Sequence, residues 1–66
     1  MKIHLNGQSK EVADHTTIAL LLESLELTGK RVAVEVNEEL VTRALFSTHQ
    51  LKADDQVEIV QAIGGG

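Results

Sequence analysis

The spacing of apolar residues changes period twice along this chain, and that constrains the fold more than any single motif. Ile3 and Leu5 alternate with Lys2, His4 and Asn6, the pattern of a strand with one apolar face. Ile18, Leu21, Leu22 and Leu25 then fall at i, i+3, i+4 and i+7, one stripe along an amphipathic helix of about three turns. Val32, Val34 and Val36 return to alternation with Arg31, Ala33 and Glu35. One-faced strands and a one-striped helix bury their apolar surface best against each other, so the chain reads as α+β with the helix across one sheet face. Its 66 residues include no cysteine, tryptophan or tyrosine, and Phe46 is the only aromatic. Neither a disulfide nor a thiolate zinc site can staple so small a domain, and aliphatic packing must hold it together.

The connecting segments fill in the order of elements. Asn6-Gly7 is the signature of a type I′ hairpin, making Gln8 to Val12 an antiparallel return strand, polar enough for a sheet edge. Thr17 is placed to cap the helix, and Gly29 to end it in the left-handed conformation. Asn37-Glu38-Glu39 reads as a turn and Leu40-Val41 as a short fourth strand. Arg43 to Gln50 is read as a helical turn in which Leu45 and Phe46 cover one end of the core, with Leu51 as a further core contact. Ala53-Asp54-Asp55 turns the chain into a last strand, Val57 to Val60.

The net charge of −4 disfavours nucleic acid and anionic membranes as partners, and a lone aromatic leaves little for stacking on bases. The N-terminus, Met1-Lys2-Ile3-His4-Leu5, lacks the apolar stretch of a signal peptide, and a cytoplasmic setting is expected.

The last strand runs into Gly64-Gly65-Gly66 with no polar spacer. Consecutive glycines cost backbone entropy on ordering and bring no side chain to pack, so the fold gains nothing from them. Terminal glycines are often a frayed end or a linker remnant. Here they follow a strand directly, which favours a bare arm reaching roughly 10 Å into a partner's narrow channel. Residues 1–63 are therefore read as the folded domain and 64–66 as a flexible tail.

Val36-Asn37, Val41-Thr42-Arg43, Asp55-Gln56-Val57-Glu58-Ile59-Val60 and the terminal glycines together resemble the small sulfur carrier proteins of thiamine biosynthesis, the ThiS family, over essentially the whole length. The resemblance implies a β-grasp, ubiquitin-like architecture: a mixed sheet of four to five strands with one main helix on one face, the last strand lying parallel to the first. It also implies that Gly66 is the reactive residue. A ubiquitin-activating-type adenylyltransferase spends ATP to adenylate its carboxylate, sulfur from a cysteine desulfurase or related donor replaces AMP, and thiazole synthase takes sulfur from the thiocarboxylate. Gly64 and Gly65 would thread the partner's active site. No cofactor is bound and no catalytic residue belongs to the chain itself. Thr42 stands where the family often has proline, and Ala53-Asp54 where it often has Asp-Gly, a position at which Asp54 can take a left-handed turn conformation.

Strand parity suggests the docking surface. If Val57 and Ile59 face the helix, then Glu58, Val60 and Ala62 face away with Ala33, Glu35 and His4. Val60, Ala62 and Ala33 would form a small apolar patch rimmed by Glu35 and Glu58, suited to a partner with a basic surface; ordinary outward-facing sheet residues would show the same parity. His4, His15 and His49 lack metal-ligand spacing and are expected at the solvent surface. Three other roles fit a glycine-ended chain of this size: a sulfur carrier for molybdopterin synthesis, a ubiquitin-like protein modifier, and a plain binding module.

Overall fold

The computed structural model describes residues 1–61. Ala62 and the tail Gly64, Gly65 and Gly66 lie outside the described residues. In chain order the elements are β1 (Lys2–Leu5), β2 (Gln8–Glu11), α1 (Ile18–Ser24), β3 (Val32–Val36), β4 (Glu39–Val41), a 3-10 helix (Arg43–Leu45) and β5 (Gln56–Gln61). Among the described residues the strands form one sheet in the order β2-β1-β5-β3-β4. β5 runs parallel to β1, with Leu5 beside Val57, and antiparallel to β3, with Val34 beside Ile59. This is the β-grasp arrangement that the resemblance implies.

Both hairpins turn on an asparagine. Asn6 and Gly7 take φ of 49° and 84°, and Asn37 and Glu38 take 53° and 69°. Those are type I′ conformations, whose twist matches that of the flanking strands. The second turn is thus the two residues Asn37-Glu38, and β4 gains Glu39, which pairs with Val36.

The core is built by parity from the sheet and by the helical stripe from α1. Ile3, Val34 and Val57 are almost wholly buried against Ile18, Leu21 and Leu22, with Val41, Phe46 and Leu51 closing the ends. Leu5, Val12, Leu25, Val32 and Ile59 are half-buried around them. Leu45, expected to cover the core with Phe46, is 51% exposed, because the tight 3-10 turn sends only Phe46 inward.

Two features of the helix differ from expectation. It spans Ile18–Ser24, about two turns by the usual helical repeat rather than three. Gly29 does not close it: Glu26 adopts φ of 60°, the Leu27 amide donates to the Leu22 carbonyl at 2.8 Å and the Glu26 amide to Glu23 at 3.0 Å. These bonds define a Schellman cap with glutamate in the position glycine usually holds. Leu27, half-buried against the core, offsets the strain of a left-handed glutamate. Gly29, with φ of 79°, instead serves the next turn, where the Lys30 amide reaches the Leu27 carbonyl.

At its other end α1 has all four first-turn amides satisfied. Thr17 Oγ1 accepts from Leu20, the Thr17 carbonyl from Leu21, and the carbonyls of His49 and Phe46 from Ile18 and Ala19. The last two pin the irregular 43–50 segment to the helix, which fixes the position of Phe46.

Candidate functional site: the outer sheet face and the end of β5

Burial leaves the second face of the sheet open. Ala33, Glu35, Glu58 and Val60 are all exposed, and they lie together: Ala33 pairs with Val60 across the β3–β5 ladder, and Glu35 with Glu58. Val60 is 65% exposed. The expected patch is therefore contiguous in the part that the structure describes. His4 faces the same side, beside Gln56, and is half-buried between the flanking strands. His49 is also half-buried, and only His15 meets the expectation of full exposure. Among the described residues no group of histidine, aspartate and glutamate side chains is gathered as a metal ion would need.

Glu35 and Glu58 are like charges placed directly opposite each other, an arrangement that weakens a strand pair.

The structure adds three residues to the face. Leu40 pairs with Glu35 on β4 and is 67% exposed. Parity could have found it, since Val41 points inward and its neighbour must point out. Arg31 and Arg43 flank the other end, where they line a shallow concavity with Val32, Ala33 and Val60. The Arg43 Nη2 donates to the Lys30 carbonyl at 3.4 Å, which carries this side chain across the gap between the two segments. The rim is thus acidic in the middle of the sheet and basic near Val32, opposite which β5 reaches Gln61.

β5 is held from both sides by the turn asparagines. On the β1 side, the His4 amide donates to the Asp55 carbonyl at 2.9 Å and the Asn6 amide to the Val57 carbonyl at 2.8 Å. Asn6 Oδ1 then accepts from the Ile59 amide at 2.9 Å, and Asn6 Nδ2 donates to the Ile59 carbonyl at 3.3 Å. On the β3 side, the Asn37 amide donates to the Gln56 carbonyl, and Asn37 Oδ1 accepts from the Gln56 amide at 2.9 Å. Asn37 Nδ2 reaches the buried carboxylate of Asp55 at 3.0 Å, whose other oxygen accepts from the Lys52 amide at 2.8 Å. Asp54 in that turn has φ of 68°, the left-handed conformation anticipated for it. Sequence reasoning found the turn-forming role of both asparagines and missed their role as clamps.

The fold and its open face define a ubiquitin-like β-grasp domain, and comparison with known proteins narrows the class. The ThiS family model matches residues 3–66. The chain is 32% identical over 66 residues to the sulfur carrier protein ThiS of Escherichia coli K12, covering 100% of both. It superimposes on the crystal structure of the thiamine biosynthesis protein ThiS from Geobacter metallireducens with a TM-score of 0.85 at 32% identity, covering 100% of each chain. It is also 44% identical over 66 residues to a thiazole synthase of Magnetococcus marinus, of whose length it spans 20%. The chain belongs to the ThiS family, a family of small sulfur carrier proteins.

Proposed function

We propose that this chain is a protein cosubstrate that carries sulfur on Gly66 for thiazole formation in thiamine biosynthesis. The observation that carries the reading is the family match through residues 3–66, which takes in the terminal glycines. A carboxylate is a poor electrophile because it already bears negative charge. A partner adenylyltransferase of the ubiquitin-activating type joins it to AMP and releases pyrophosphate from ATP. A cysteine desulfurase or related donor holds its sulfur as a persulfide; the terminal sulfur displaces AMP to give an acyl disulfide, and a thiol then reduces the S–S bond, leaving the thiocarboxylate while the thiol is oxidised into a disulfide.

A glycine at the acyl position has no Cβ to hinder either step, and the chain holds no cysteine that could carry sulfur instead. Its contribution is presentation: Gly64 and Gly65 thread the partner, while Ala33, Glu35, Glu58 and Val60, with Ala62, dock against it. Thiazole synthase is the proposed acceptor, a reading supported by the likeness to a protein of that name. The cytoplasm is the proposed setting, and no helix among the described residues is long and apolar enough to cross a membrane.

Intact-mass measurement of the protein isolated from cells tests this. The expected species has one oxygen replaced by sulfur, and it donates that sulfur to thiazole synthase and not to a molybdopterin-forming enzyme. Covalent adducts with other proteins, or the unmodified mass alone, would overturn it. A residue appended after Gly66 is expected to abolish sulfur loading unless it is trimmed.

A further inference from the structure

Asn6 does something a hairpin turn does not require. β1 ends at Leu5 and the backbone swings away through Asn6-Gly7 into β2, so it pairs with β5 only as far as Val57. The side chain of Asn6 continues the pairing: its amide offers one acceptor and one donor to the amide and carbonyl of Ile59, as another peptide group would. Few side chains can do both jobs. Asparagine tolerates the observed φ of 49° and presents a carboxamide at this short reach. Aspartate lacks the donor, and glycine accepts the φ but offers nothing to Ile59.

We infer that Asn6 is a positioning residue for activation of the acyl end: by clamping Ile59, it holds the last part of β5, the strand that carries the reactive glycine's end of the chain. This rests on the carrier function proposed above. Ile59 lies two residues before the end of β5 at Gln61, on a strand whose other side is held by β3. With both sides held at Ile59, this strand has less freedom left to lose when a partner captures the acyl end.

Asn6→Gly keeps the left-handed turn and removes only the clamp. The Ile59 amide is expected to exchange hydrogen faster while the Val34 amide does not. In adenylation by the partner enzyme, KM for the carrier is expected to rise roughly three- to tenfold with kcat unchanged, the size of losing a modest hydrogen-bonded preorganisation. Ile3→Val, which loosens the core away from the clamp, should leave KM alone at a temperature where all variants are folded. Asn6→Asp keeps the acceptor for the Ile59 amide and loses the donor to the Ile59 carbonyl, so if Asn6→Gly does not fold, the rise in KM is read on Asn6→Asp and the exchange rate is not. Unchanged exchange at Ile59, an unchanged KM, or a KM shift matched by Ile3→Val overturns the proposal. If the wild-type chain is not adenylated at all, the functional reading falls and this inference with it.

Discussion

The two faces of this sheet are made by the same strands and have almost nothing else in common. On the inner face Ile3, Val34 and Val57 are at most 1% exposed, and on the outer face, between those positions or next to them, Ala33, Glu35 and Glu58 lie in solvent. The inner face tolerates little change because every methyl group there displaces a void. The outer face carries no packing duty, yet it keeps large apolar residues, Leu40 and Val60, and an opposed glutamate pair that works against the ladder. Leu40 and Val60 stand on that face on either side of the Glu35–Glu58 pair, the surface proposed above for docking.

Substitutions on the two faces should separate stability from partner binding. The largest effect is expected at Leu22, buried on the inner side of α1: Leu22→Ala should cost about 2 to 5 kcal/mol in denaturant unfolding. A loss near the ~0.5 kcal/mol typical of surface positions would show that α1 does not pack as described. On the outer face the pattern should invert. Val60→Asp is expected to cost at most about 1 kcal/mol of stability, the span of strand propensity, and to weaken binding to the adenylyltransferase by roughly tenfold or more, the loss typical of an anchor residue. Binding measured by calorimetry and unchanged by that substitution would remove Val60 from the docking surface.

The mildest change is expected from Glu58→Lys. It converts the repulsion with Glu35 into attraction and should raise the melting temperature slightly, while slowing association with a basic partner a few-fold at low salt and less at high salt. An association rate indifferent to both charge and salt would leave Glu58 out of the interface.

Much of the site could be read before any coordinates. Alternation in Val32–Val36 and Gln56–Gln61 assigned Ala33, Glu35, Glu58 and Val60 to one face, because successive side chains in a strand point to opposite sides. The same rule, applied to Val41, places Leu40. Arg31 shares the parity of Ala33 and Glu35, but Arg43 is beyond the rule's reach: only the packing of the 43–45 turn beside the start of β3 brings the two arginines to one concavity. The short helix and its glutamate-closed cap were also illegible. Glycine at position 29 is the stronger local signal, and the tertiary contact of Leu27 outweighs it.

Sequence alone determined the periods, the two turns, the α+β class and the partition of each strand into an inner and an outer face, since these depend on backbone geometry within a few residues. Tertiary structure decided which strands became neighbours, where Phe46 and the arginines came to rest, and that two turn asparagines would reach across to hold β5. Those outcomes depend on hydrogen-bonding groups that meet only after the chain has folded, as Asn6 meets Ile59, 53 positions further along the chain.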